Sequence, residues 1–109
     1  MVIVMTTVWI PHSKAPKAGK LFLEAVKKFP DDKTLSKNLV NNAVVATKEG
    51  YKVVVADEIK DGKLKEYLNL ANKQLLFFAE NIEGYKYQIE VMSSITEAMA
   101  VVGLEPPES

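Results

Sequence analysis

The stretch LVNNAVVATKEGYKVVVADEI, Leu39 to Ile59, decides how the rest of the chain is read. Leu39 to Thr47 and Tyr51 to Ile59 are dense in β-branched residues, and each has the length of a strand. Between them Lys48-Glu49-Gly50 suits a tight turn, with glycine supplying the positive φ that such turns demand. A β-hairpin is therefore expected, closed at its far end by Lys60-Asp61-Gly62. Asp57 and Glu58 are neighbours in its second strand, so they point to opposite faces and form no carboxylate pair. One of them is expected to end the strand in solvent.

Upstream of the hairpin, Val2 to Ile10 is another strand. Both of its faces are apolar, with Val2, Val4 and Val8 on one and Ile3, Met5 and Trp9 on the other, as in a central strand covered on both sides. Pro11, which cannot donate to a sheet ladder, stops it. Ser13 is expected to cap the following helix, with Pro16 in its first turn. Ala18, Leu21, Phe22, Ala25, Val26 and Phe29 then recur at helical spacing, and Pro30 ends the helix. The polar segment Asp31 to Asn38 reads as a short turn or a single helical coil.

Downstream, the longest helix runs from Lys63 to about Glu83 and stops at Gly84. Its core stripe includes Leu64, Tyr67, Ala71, Leu75, Phe78 and Ile82. Leu70, Leu76 and Phe77 fall outside the stripe and are expected to touch a second subunit. Tyr85 to Met92 alternates as a strand, with Tyr85, Tyr87, Ile89 and Val91 opposed to Lys86, Gln88 and Glu90. A final helix opens on the capping box Ser94-Ile95-Thr96-Glu97 and ends at Gly103. One domain, 1–104, is expected, followed by a frayed tail, 105–109.

The order is thus strand, helix, hairpin, helix, strand and a short helix, two βαβ halves meeting at Gly50. Right-handed crossovers in both halves place the two long helices on one face of a four-stranded antiparallel sheet. The fold class is α+β, a ferredoxin-like βαββαβ sandwich of strand order 4-1-3-2 with a short C-terminal helix. The sheet face away from the helices carries apolar residues of the first strand whichever parity faces out, with Val54 and Ala56 beside them. A second copy of the chain is the simplest cover for that face.

From VIVMTTVWI through KEGYKVVVADEI to YKYQIEVMSSITEAM, the chain resembles the dimeric α/β-barrel superfamily, small ferredoxin-like chains that pair sheet to sheet. The resemblance is one of element order and lengths over nearly the whole chain. It implies a homodimer through the sheet face. The superfamily includes cofactor-independent monooxygenases, isomerases, haem-degrading and chlorite-handling haem proteins, and proteins without known activity. Its haem-binding members carry their ligand on a later helix, where this chain has no histidine, which argues against a haem function.

Composition narrows the chemistry further. With 109 residues and no cysteine, the chain has room for one core and cannot form disulfides or thiolate metal sites. All 14 basic residues are lysine and the net charge is zero, which argues against a nucleic-acid partner. No glycine-rich phosphate loop, nucleophile elbow or HExxH occurs. No metal and no cofactor are expected. The apolar N-terminus is far too short to span a bilayer and lacks a basic leader, so no membrane partner and a cytoplasmic location are expected.

The candidate site lies around VWIPHSKAP, Val8 to Pro16, which holds the single tryptophan and the single histidine. His12, just past a central strand, has the chemistry of a general base. Trp9, if it faces the helices, would wall a pocket with Tyr67, Phe78 and Tyr87. Every residue of that stretch also has a plain structural reading as strand end, proline stop and helix cap. Glu90 and Gln88 belong to the dimer barrel or its rim, and a buried Glu90 would need Lys52 or Lys86. The expected function is binding of a small, mostly apolar molecule in a cleft between sheet and helices, with a cofactor-independent oxygenase or isomerase as its enzymatic form. The alternative is a non-catalytic regulatory or assembly module. A solvent-reached cavity of roughly 300 Å³ or more separates the first from the second.

Overall fold

The computed structural model describes residues 2–105; the expected tail beyond Glu105 lies outside them. In chain order the elements are β1 (Val2–Ile10), a 3-10 turn (His12–Lys14), α1 (Ala15–Lys28), β2 (Ser36–Thr47), β3 (Gly50–Ile59), α2 (Leu64–Asn81), β4 (Lys86–Ser93) and α3 (Ile95–Val101). The strands form one antiparallel sheet in the order β2-β3-β1-β4, with β3 and β1 inside. Read from the other edge, the same row is 4-1-3-2. α1 and α2 lie on one face of it, against the even-numbered residues of β1 and the odd-numbered residues of β3.

The hairpin closes through Lys48-Glu49, with Thr47 paired to Gly50 and the Thr47 hydroxyl donating to the Gly50 carbonyl at 2.6 Å. Gly50 is required for two reasons. Its φ is +146°, and a Cβ there would stand 2.5 Å from the Ile10 carbonyl oxygen. Gly84 approaches the same corner, where a Cβ would meet the Pro11 ring at 2.9 Å. The end of β1 is thus wedged between two glycines from distant parts of the chain.

β2 begins at Ser36, earlier than the expected Leu39, because Ser36, Lys37 and Asn38 pair with Ile59, Glu58 and Asp57 to match the full length of β3. The register shifts on either side of Val40, and Asn42 absorbs the irregularity at φ 49°, a conformation asparagine tolerates better than most residues. Such an irregular edge strand also resists pairing with strangers.

Two caps differ from each other. Ser94 caps α3 as expected, its hydroxyl accepting from the Glu97 N–H at 3.2 Å. Ser13 does not cap α1. Lys14 holds the N-cap position, because the Lys14 N–H closes the 3-10 turn on the Pro11 carbonyl at 2.9 Å and delays the helix.

The core sits where α1 and α2 meet the β1 end, around Ala18, Leu21 and Ile82, with Ile10, Phe77, Phe78 and Tyr85 packed on it. Phe77 therefore belongs to this chain's own core, edge-on to Phe29 at 6.0 Å, and Leu70 faces a cleft within the chain. Of the three residues set aside for a second subunit, Leu76 stays exposed. The face of α1 is only partly used. Ala18, Leu21 and Ala25 are buried, but Phe22 and Val26 are 45% and 52% exposed, contrary to a fully packed helix.

The opposite sheet face is open and ordered in rows by the registers. One row is Val45, Lys52, Trp9 and Lys86, and the next is Ala43, Val54, Thr7 and Gln88. Then come Val40, Ala56, Met5 and Glu90, and last Lys37, Glu58, Ile3 and Met92.

Candidate functional site

Between the sheet and the two long helices lies a cleft of about 1090 Å³, running beneath α1 and α2 over β1, β3 and β2. It exists because α1 leans on α2 and the β1 end, leaving Phe22, Val26 and Val44 to line the cleft without filling it. Gln74 fixes this stance by donating to the Phe29 carbonyl at 2.9 Å and to Asp31 at 3.1 Å, which satisfies the end of α1 from α2. The walls are otherwise mainly alanine, valine, leucine and aromatic side chains.

At the β2 end of this apolar space is a polar group. Asp57 is 9% exposed, the one charged side chain among the buried residues described. Asn38 Nδ2 donates to its Oδ1 at 2.8 Å, and the Tyr67 hydroxyl donates to its Oδ2. β3, β2 and α2 each contribute one member. The register slip after Asn38 helps to aim it, since the same amide also donates to the Val40 carbonyl at 3.1 Å. Burial, then the hydrogen bond to Asp57 and its charge, pushes the Tyr67 phenol well above its ordinary range. It stays a protonated donor under any physiological condition.

The expectation that Asp57 or Glu58 ends its strand in solvent fails for Asp57. Its carboxylate is retained inside because two donors arrive from elsewhere in the fold. Glu58 is half-buried on the other face, facing Ile3 and Lys37 in the register.

The residues expected to wall one pocket are divided. Tyr67 and Phe78 line the cleft. Trp9 does not, because odd positions of β1 face away from the helices, and it stands 38% exposed between Lys52 and Lys86. Tyr87 is on the helix side, paired with Val8, but Tyr85 takes the place in the cleft wall, its ring stacked on Phe78 at 5.5 Å. Burial also raises the Tyr85 phenol far above its ordinary range, and the neighbouring Tyr87 adds to it.

His12 is exposed in the 3-10 turn, its ring edge-on to Tyr51 at 5.3 Å. Tyr51 lines the cleft, so His12 is one ring removed from it. Tyr51 and Asp57 lie on the same face of β3, six residues and so about 20 Å apart. His12 and Asp57 therefore stand toward opposite ends of the cleft and do not act on one atom. Glu90 and Gln88 lie on the open face, Glu90 beside Met5, with Lys52 and Lys86 two rows away. Among the described residues, no group of three or more histidine or carboxylate side chains is placed to hold a metal ion.

Asp57 was hidden in the sequence by its neighbour Glu58. The signal that could have found it is strand parity, since the hairpin register places Asp57 on the face of Val53 and Val55, and so with the core.

No protein-family model matches the chain, and no curated protein matches it. Among solved structures, the de novo designed protein Foldit4 is similar, with a TM-score of 0.59 over 85% of this chain and 97% of that one, at 15% identity. At that identity the likeness is one of fold alone, an α+β arrangement with an antiparallel four-stranded sheet.

Proposed function

We propose that this chain is a ferredoxin-like protein of the dimeric α/β-barrel kind that binds a small, mostly apolar molecule in the sheet–helix cleft. The observation that carries the reading is the cleft itself, about 1090 Å³ and walled largely by apolar side chains. Ligand sites commonly occupy several hundred Å³ and combine such walls with a few placed polar groups, here Asp57, Asn38 and Tyr67. Phe22 and Val26, roughly half exposed, would be covered by an occupant, at about 25 cal/mol gained per Å² of apolar surface removed from water. In an enzymatic form, an oxygenase or isomerase without cofactor, Asp57 is better placed than His12 to accept a proton from that occupant. A cytoplasmic setting belongs to the same proposal; no helix among the described residues is long and apolar enough to cross a membrane.

The homodimer is the second part of the reading, and the row pattern of the open face supports it. Lys52 and Lys86 flank Trp9 at one end of the face, while Glu58 and Glu90 lie at the other, with Lys37 beside Glu58 on the edge strand. A twofold axis that sets the two copies of β1 antiparallel lays the lysine end of each copy over the glutamate end of the other. Parallel strands would set lysine on lysine. Such complementarity selects an orientation as well as a partner. A non-catalytic assembly module is the competing reading, favoured by α3, whose Ile95 and Val101 are 63% and 87% exposed.

The test is titration with the neutral apolar dye N-phenyl-1-naphthylamine. We expect saturable binding of one dye per chain, weakened at least tenfold by Val26→Trp and unchanged by Met5→Ala on the open face. Dye binding that responds to Met5→Ala and ignores Val26→Trp would place the apolar site on the wrong face and end the cleft reading.

A further inference from the structure

We infer that the cleft selects a protonated amine, an organic cation with an apolar body whose ammonium group sits on the Asp57 carboxylate. This rests on the cleft being a binding site and adds what kind of molecule it takes. Asp57 lacks a partner of opposite charge. It is buried, yet both of its partners, Asn38 and Tyr67, are neutral. An ionised carboxylate offers about four acceptor positions, and these two donors occupy one on each oxygen. A buried carboxylate held by neutral donors is satisfied in hydrogen bonds but not in charge.

The other charged groups facing the cleft do not supply that charge. Asp31, Asp32, Lys33, Lys37 and Lys60 are all exposed at its mouth. Lys60 Nζ is taken up by the Lys33 carbonyl at 2.9 Å, and Asp31 accepts from Gln74. The mouth is therefore of mixed sign, and the interior has one charge, negative. An alkyl- or arylalkylammonium ion brings the missing charge and fresh donors together. Its body meets Phe22, Val26 and Leu70, and its charge gains from the ring of Tyr67 beside the carboxylate. A carboxylate ligand of the same length would meet Asp57 as a like charge.

A purely structural Asp57 would tie β2 and α2 to β3 and show no preference for ligand charge. Calorimetric titration with octylamine, 1-octanol and octanoate at neutral pH separates the two. We expect octylamine to bind at least tenfold more tightly than 1-octanol, with octanoate weakest. Asp57→Asn should bring amine and alcohol within about threefold of each other while the alcohol's own affinity is kept. Equal binding of amine and alcohol by the unaltered protein would overturn the inference and leave the cleft standing. So would binding of the naphthylamine dye with no saturation by octylamine. If neither the dye nor any member of the series binds, the cleft reading has failed and the amine with it. Should Asp57→Asn not fold by circular dichroism, the amine-to-alcohol ratio of the unaltered protein decides alone.

Discussion

Tyr67 shows how one side chain can serve the fold and the site together. Its ring belongs to the wall of the cleft and its hydroxyl satisfies a carboxylate that could not otherwise stay inside. Tyr67→Phe keeps the ring and removes the donor. Loss of a hydrogen bond to a charged group is worth about 1.5–3 kcal/mol, and we expect that loss of stability at pH 7 in urea titrations. The pH dependence has a defined sign. The folded phenol titrates above its ordinary value of 10.0, so the folded state holds its proton where the unfolded chain has released it. Tyr67's contribution is therefore intact below about pH 10 and is lost as the pH rises beyond it. The stability of the Phe variant should fall less steeply over that alkaline range. An equal slope in both proteins would mean the phenol is not held as described.

Helix starts give the sharpest contrast between elements. Ser13 and Ser94 both precede helices, but only Ser94 has a backbone N–H to accept from, because the 3-10 turn after Pro11 intervenes at the first. Ser94→Ala should cost α3 about 1 kcal/mol, read as a roughly fivefold loss of amide-exchange protection in the last turn of a seven-residue helix that has little else to hold it. Ser13→Ala should leave protection in α1 unchanged. Matching losses at both helices would show that Ser13 caps after all. The edge strand β2 makes a related point. Direct pairing in the register sets Asn38 opposite Asp57, and the slip that follows brings the Val40 carbonyl to the same amide, so regular and irregular pairing together build the polar end of the cleft.

For the molecule as a whole, the decisive property is that the two long helices cover one side of the sheet and leave open the other, where Val54, Ala56, Met5 and Trp9 lie among charged residues. The row of Lys52, Trp9 and Lys86 and the opposed Glu58 and Glu90 make a prediction about pairing. Reversing both lysines, K52E with K86E, should raise the dimer dissociation constant at least tenfold, equivalent to about 1.4 kcal/mol. Adding E58K and E90K should restore pairing, with mass followed by light scattering across a dilution series. A monomer at every concentration, or no recovery in the fourfold variant, would sink the antiparallel pairing. Trp9 lies in this face, so in the proposed dimer its emission would follow pairing and not occupancy of the cleft.

The sequence alone determined the elements and their order, because strand and helix periodicities, Pro11, Pro30 and the hairpin at Gly50 are local signals. It also fixed on a sheet with β1 and β3 inside, since crossover handedness leaves few ways to join such halves. It did not determine which side of β1 faces the helices. Val4 and Val8 on one side and Met5 and Trp9 on the other are equally apolar, and a strand apolar on both faces carries no alternation to read. Only the tertiary structure placed Trp9 outside and gave Asp57, on the helix side by parity, the donors that keep it buried. Burial of that carboxylate depends on donors that the chain brings from Asn38 in one strand and Tyr67 in a helix, and no local pattern records their meeting.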